Sequence, residues 1–267
     1  MLKKTNIFLV LLMLLFAGCI SENESDNNAG HRFSKENLVG EWIRKGPGPA
    51  TSLHFREDGT VEGDLMMDGR PEVIASYAVK GHLVEITDRE GQTCPGKGIY
   101  EATPGSHYIG FEMVEDTCYG RIRAFMGYWT KPGWEDILID LDQEIEKTDD
   151  PELLLERARV LMALAKSQEA KADFDAYIKT DSSNAKVYMN RAGTRFPNDL
   201  QGVISDCTKA IALNPDNKNA YHMRGIAHYQ LGKKAEACND FSRAIQMGYT
   251  FLKKTEAVKC AGFWEDL

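Results

Sequence analysis

The chain has 267 residues, of which 43% are hydrophobic and 27% are charged, and its formal net charge is −8. This composition is ordinary for a globular protein, and the length corresponds to two domains of common size. The acidic balance and the lack of a basic patch argue against a nucleic-acid partner, because nucleic-acid-binding surfaces concentrate lysine and arginine.

Residues 1–18 have the pattern of a secretory signal, with two lysines, an apolar run from Ile7 to Phe16, and small residues before Cys19. The ending LFAGC (15–19) resembles a lipoprotein signal. The resemblance implies cleavage before Cys19 and acylation of that cysteine, with palmitate as one of the chains. The alternative is an uncleaved membrane anchor, although the run is short for the roughly 20 residues of a span. Two or more acyl chains would hold the mature protein on the cell membrane or outer membrane, outside the cytoplasm.

Residues 19–32 are polar and acidic, and they predict a flexible linker because they carry too little apolar surface to fold. In residues 33–131 the apolar side chains alternate with polar ones in seven or eight short runs. Asp-Gly and other glycine turns separate these runs, which is typical of β-hairpins. The region therefore predicts an antiparallel β-barrel or sandwich.

The first predicted strand begins with GEW (40–42), and the last one, RIRAFMGYW (121–129), is expected to carry Arg121 and Arg123. A Gly-x-Trp near the start, with an arginine of the final strand stacked on the tryptophan, resembles the lipocalin pattern. The resemblance implies a lipocalin-like β domain, and another small barrel or sandwich is the alternative. Large side chains expected to point inward favour a filled interior over a ligand cavity; they are Phe55, Leu65, Tyr77 and Phe111.

Cysteine usage fits an oxidising compartment. Cys94 and Cys118 are the two cysteines of the β domain, which predicts a disulfide between them in an exported protein. Zinc is the alternative, but no second pair or histidine cluster supplies four ligands. Three cysteines follow, so at least one stays free or pairs between molecules. Cys207 is the expected free thiol, and Cys238 is expected to reach Cys260.

A repeated pattern fills residues 133–267. The segments AKADFDAYI (170–178), VISDCTKAI (203–211) and ACNDFSRAI (237–245) align without gaps, and a matching first segment precedes each of them. The period of about 34 residues and the pattern resemble the tetratricopeptide repeat, which implies an all-α solenoid of paired helices. The predicted repeats are about 151–183, 184–217 and 218–251.

Residues 134–148 resemble a lone second helix of the repeat and are expected to cap the first full unit, while 255–264 are expected to close the other end. Pro197 is expected to shorten the first helix of the second repeat. Arginines and aspartates recur at the repeat spacing and predict structural ion pairs, in preference to a functional charge cluster. They are Arg157, Arg191, Arg224, Asp173, Asp206 and Asp240.

The sequence contains no catalytic signature such as Gly-x-Ser-x-Gly, His-Glu-x-x-His or a phosphate-binding glycine loop, so neither an enzyme nor a cofactor or metal site is expected. The family resemblance implies a concave groove lined by the first helix of each repeat. Large apolar side chains among polar ones would suit a peptide or a helix there. The alternative is that they only cover the core or pack on the β domain. By position, the candidate partner-binding residues are Arg159, Met162, Lys186, Met189, Phe196, Asn219, His222 and Tyr229.

Two functions follow from these features. The first is a membrane-anchored scaffold of the cell envelope that binds a protein or peptide through its repeats. The second is a carrier or sensor that holds a small hydrophobic ligand in the β-barrel.

Overall fold

A computed structural model describes residues 33–45, 50–64, 67–88, 94, 96–249 and 260. The described residues, all from residue 33 onward, belong to one compact unit that contains both the β-strands and the helices. The expected signal peptide, the linker, Cys19 and Leu65 lie outside the described residues, and so does the closing helix 255–264 apart from residue 260. Within those residues, no helix has the length and apolar content needed to span a membrane.

Eight antiparallel strands form a closed up-and-down barrel in which β1 pairs with both β2 and β8. A short helix, α1 (Lys35–Leu38), precedes them. The strands are β1 (Gly40–Arg44), β2 (Thr51–Phe55), β3 (Thr60–Asp64), β4 (Val73–Lys80), β5 (Leu83–Asp88), β6 (Lys97–Pro104), β7 (Tyr108–Glu115) and β8 (Gly127–Thr130). The antiparallel barrel predicted from the alternating runs is confirmed.

Aromatic side chains fill the barrel interior. Phe55 lies with its ring centroid 5.1 Å from Tyr77, 6.0 Å from Phe111 and 6.4 Å from Phe125. The ring centroid of Tyr100 lies 5.9 Å from that of Phe125. All five side chains are at most 6% exposed. Large rings from four strands, together with Phe125 between β7 and β8, therefore occupy the space that a ligand would need in a barrel of this width.

The sequence prediction for the last strand is wrong in its first part. Residues Tyr119–Phe125 form helix α2, so Arg121 and Arg123 are not on a strand. The side chain of Cys118 caps this helix by accepting from the backbone N–H of Arg121. Trp42 is approached by the Lys131 ammonium, 5.9 Å from the ring, instead of by an arginine.

Helix α2 is held by a buried ionic network. Arg121 Nε and Nη2 donate to the carboxylate of Asp116 at 2.7 and 2.8 Å, and Tyr100 Oη donates to the same carboxylate at 2.5 Å. Asp88 lies 3.3 Å from Arg121. Burial alone would raise the pKa of Asp116, but the hydrogen bonds from Arg121 and Tyr100 outweigh it and lower the pKa. Gly98 leaves the space that the Asp116 carboxylate occupies, since a Cβ there would overlap it.

Seven helices follow the barrel in the described chain, and the last six form three antiparallel pairs. They are α3 (Trp134–Thr148), α4 (Pro151–Ala163), α5 (Ser167–Thr180), α6 (Ala185–Arg195), α7 (Leu200–Leu213), α8 (Lys218–Gln230) and α9 (Lys234–Gln246). Helix α3 has the bounds predicted from the sequence. Helix α6 ends just before Phe196 and Pro197, which confirms the predicted shortening.

Small residues let paired helices approach closely, as the repeat pattern requires. Gly225 in α8 faces the ring of Phe241 in α9, and a Cβ at that position would lie 2.6 Å from the ring. Ala158 and Ala192 occupy the equivalent position in the earlier repeats and are fully buried. The solenoid predicted from the periodic pattern is therefore confirmed.

Candidate partner-binding surface

Each repeat carries one bidentate arginine–aspartate pair that joins its two helices. Nε and Nη2 of the arginine donate to the two carboxylate oxygens over 2.5–3.0 Å. The aspartates are between 2% and 6% exposed, so these pairs are part of the helix packing. The prediction of structural ion pairs is confirmed for Arg157–Asp173, Arg191–Asp206 and Arg224–Asp240.

The remaining guanidinium nitrogen of each arginine, Nη1, donates to the second helix of the preceding repeat unit. Nη1 of Arg157 donates to Asp142 in α3 at 2.5 Å, and Nη1 of Arg191 donates to Asp175 in α5 at 2.8 Å. In the third repeat the acceptor is Thr208 Oγ1. These three acceptors occupy the same position of successive repeats, a regularity that was readable in the sequence but missed. They also show that α3 occupies the place of a second helix, as predicted.

The inner face of the first helices packs against the barrel. Arg159 Nη1 donates to Tyr108 Oη at 2.6 Å, and its guanidinium lies 5.1 Å from the centre of the same ring. Burial raises the pKa of Tyr108, so the phenol stays protonated. Arg159 therefore contacts β7 of the same chain.

Two further candidate groove residues also face the barrel. Lys186 Nζ lies 3.6 Å from Glu101 on β6, and Asn219 Nδ2 lies 3.5 Å from Glu112 on β7. Burial of Glu112 raises the pKa of its carboxyl. Both residues make intramolecular contacts here, and their predicted role toward a partner remains a prediction.

The sequence interpretation missed several residues of this seam. Glu156 accepts from the backbone N–H of His107 at 2.7 Å, and Asn190 accepts from Tyr128 Oη at 3.0 Å. Lys218 Nζ donates to the carbonyl of Val114 at 2.7 Å. Glu156 and Asn190 occupy the same position of consecutive repeats, and this recurrence could have been used to predict the seam from the sequence. We define the barrel seam as these contacts together with those of Arg159, Lys186 and Asn219.

The other candidates divide into packed and exposed side chains. Met162 and Met189 are partly buried against the repeat cores, and the His222 ring lies 4.7 Å from the Tyr249 ring. Phe196 and Tyr229 are 36% and 40% exposed. They occupy the same position of consecutive repeats, near the C-terminal ends of α6 and α8. We call this pair of exposed aromatic residues the rim.

The structure also places the cysteines and a cluster of carboxylates. Disulfides join Cys94 to Cys118 and Cys238 to Cys260, with Cα atoms 5.6 and 5.7 Å apart. Cys207 is free and fully buried, and burial raises the pKa of its thiol to about 12, so it is unreactive. The carboxylates of Asp64, Asp68 and Glu72 lie within 4.8 Å of one another, but backbone N–H groups of the same turn already bind Asp64 and Asp68.

Comparison with known proteins gives matches to the helical half of the chain. The Tetratricopeptide repeat family matches residues 207–239. Mitochondrial import receptor subunit TOM70 of Homo sapiens is 26% identical over 143 residues, which cover 51% of this chain and 23% of that protein. The chain thus spans about a quarter of the length of such curated relatives.

Solved structures match the same half. The crystal structure of MamA is 18% identical, covers 48% of this chain and 77% of that one, and has a TM-score of 0.45. The Arabidopsis OM64 TPR domain is 27% identical, covers 45% of this chain and 98% of that one, and has a TM-score of 0.39. The repeat register, the paired helices and the family match agree: the C-terminal half of this chain is a tetratricopeptide-repeat region, and it follows an eight-stranded antiparallel β-barrel.

Proposed function

We propose that this protein is a membrane-anchored scaffold of the cell envelope whose repeats bind a polypeptide partner at the rim. The observation that carries the proposal is the exposure of Phe196 and Tyr229 at equivalent positions of consecutive repeats. Aromatic side chains are enriched at protein interfaces and among the residues that contribute most to binding. The proposal includes no catalytic step.

The barrel seam limits where such a partner binds. The barrel strands β6 and β7 contact Arg159, Lys186 and Asn219 and so cover that part of the groove. A partner that does not displace the barrel therefore binds at the outer edge of the groove. In this proposal these residues position the barrel, and the rim contacts the partner. The barrel then lies beside the binding site and keeps its position when the partner binds.

Replacing either rim residue by alanine is expected to weaken partner binding by about 1–3 kcal/mol, the usual cost of removing a central aromatic side chain. The partner is first recovered by crosslinking and pull-down from native membranes, and binding of Phe196→Ala and Tyr229→Ala is then measured by calorimetry. Leu83→Ala removes a side chain of similar exposure, 38%, from the barrel and is the matched control.

Parental affinity of both rim variants would argue against the rim as the binding site. Loss of helical circular dichroism in either variant would assign its side chain to the core instead.

The anchor rests on the sequence pattern around Cys19. If the cysteine is acylated, Cys19→Ser is expected to move the protein from the membrane fraction to the soluble fraction after cell lysis, because the acyl chains supply the membrane affinity. Mass spectrometry of the parent protein is expected to show Cys19 as the first residue, carrying lipid. An unmodified Cys19, or cleavage elsewhere, would contradict the anchor.

The small-ligand alternative lacks a supporting observation. Five aromatic side chains at most 6% exposed occupy the barrel interior. We therefore assign the barrel to positioning the repeats.

A further inference from the structure

Helix α3 is a second repeat helix that lacks a first helix. Its residues align with those of α5 one repeat later, and its register is fixed independently by the hydrogen bond from Arg157 to Asp142. The alignment matches the paired aspartate, the large core residue and the isoleucine that follows it. The equivalent pairs are Asp140–Asp173, Leu141–Phe174 and Ile145–Ile178.

Asp140 is the aspartate that receives an arginine in every full repeat. The equivalent carboxylates, those of Asp173, Asp206 and Asp240, each accept two hydrogen bonds from an arginine of their own first helix. Asp140 is exposed and has no ion pair in the part of the chain that the structure describes. Its arginine is missing because the chain places the barrel, and not a helix, before α3.

A cleft of about 190 Å³ lies beside this unpaired aspartate. The acidic residues Asp140 and Glu144, one helical turn apart, line it together with the buried Leu141. Leu141 has the core position of the repeat and belongs to the same buried cluster as Tyr108 of the barrel. The cleft is lined by His107, Asp140, Leu141, Gln143, Glu144 and Lys147. It is therefore located where a first helix would present its arginine.

The surface around the cleft is acidic with one apolar centre. Helix α3 contains six carboxylates and one lysine, and Asp142 is the one α3 carboxylate with an ion pair among the described residues. Ile139 lies on the outer face and is 54% exposed, more than any other large hydrophobic residue with described exposure. Such a surface complements a helix that presents cationic side chains beside an apolar one.

We infer that α3 binds an α-helix of another polypeptide that carries an arginine and completes the half-repeat. The arginine enters the cleft and donates two hydrogen bonds to Asp140, as Arg157 does to Asp173 in the adjacent repeat. An apolar side chain of the same helix covers Ile139. Arginine is required over lysine because its planar guanidinium matches a carboxylate in bidentate geometry.

The test uses the full chain and a synthetic peptide. The arginine of this peptide, Arg224, already binds an aspartate of a second repeat helix within the protein. The probe is a capped peptide with the sequence of α8, residues 218–230, and the matched probe carries Arg224→Gln. Affinities for the parent, Asp140→Asn and Glu146→Gln are measured by fluorescence anisotropy. Glu146→Gln removes one carboxylate from the same helix outside the cleft and controls for net charge.

The arginine peptide is expected to bind the parent about tenfold more tightly than the glutamine peptide. Asp140→Asn is expected to abolish that difference, whereas Glu146→Gln and Phe196→Ala keep it. Ile139→Ser is expected to weaken both peptides. Equal affinity of the two peptides for the parent, or equal losses of affinity from Asp140→Asn and Glu146→Gln, would overturn the inference. Neither result would bear on partner binding at the rim. Circular dichroism of each variant is the control for folding.

Discussion

Replacing Asp116 by alanine is expected to lower the free energy of unfolding by about 3–5 kcal/mol, because the buried Arg121 guanidinium loses its bidentate partner and keeps only the longer ion pair with Asp88, at 3.3 Å. The side chains of Arg121 and Asp116 are 1% and 0% exposed, so water cannot replace the lost carboxylate. Tyr100 loses its acceptor in the same variant. Urea denaturation of the parent and the variant measures the difference.

Glu62→Ala is the matched control, since it also removes one partner of an arginine–carboxylate pair in the barrel. Its pair with Arg56 is exposed to solvent, and only a small change in stability is expected. Equal losses in the two variants would mean that the buried network does not hold α2 against the barrel.

The contribution of the same network to the free energy of unfolding is expected to decrease in acid. The pKa of Asp116 is lower in the folded protein than its ordinary value of about 3.9, so its contribution to stability is present above about pH 4. This contribution is lost as the pH falls through the folded-state pKa. The stability difference between the parent and Asp116→Asn is therefore expected to narrow in acid.

Replacing Arg157 by alanine is expected to cost about 2–4 kcal/mol, because this side chain joins three helices and neutralises a nearly buried carboxylate. Its guanidinium binds Asp173 in α5 through two nitrogens and Asp142 in α3 through the third. The Asp173 side chain is 7% exposed and would be left unpaired. Thermal unfolding followed by helical circular dichroism measures the loss.

Asp142→Ala separates the two halves of that interaction. Asp142 is 57% exposed, so its removal breaks the link to α3 without leaving a buried charge, and a much smaller loss is expected. If Asp142→Ala destabilised the protein as much as Arg157→Ala, the contact with α3 would be the main contribution.

The repeats were predictable from the sequence because their packing is local and periodic. Gly225 faces the large ring of Phe241 in the next helix, and small residues recur at its position, Ala158 and Ala192, at a spacing that a single sequence shows directly. The barrel strands were predictable for a similar reason, since alternation along a strand records which side chains face the interior.

Helix α2 was not predictable from such patterns. The segment RIRAFMGYW has the alternation of a strand, whereas the helix is stabilised by the Arg121–Asp116 pair and by the contacts of that pair with Tyr100 and Asp88. These contacts leave no periodic pattern in the sequence. The buried network overrides the local strand preference of the segment.

The barrel seam was missed for a related reason. Arg159, Lys186 and Asn219 have the side chains expected of a partner-binding groove, and nothing in their spacing distinguishes a separate partner from a barrel of the same chain. The unpaired Asp140, by contrast, could have been recognised by extending the repeat register back by one unit.

Site-specific photocrosslinking in native membranes tests the scaffold most directly, because it does not require the partner to be known. A photoreactive phenylalanine is placed at Phe196 or Tyr229 in the rim, and at Leu83 on the barrel as the control. If the repeats are a scaffold, both rim positions are expected to crosslink to the same other polypeptide, and Leu83 is not. Crosslinks from the rim only to residues of the same chain, or identical products from all three positions, would contradict it.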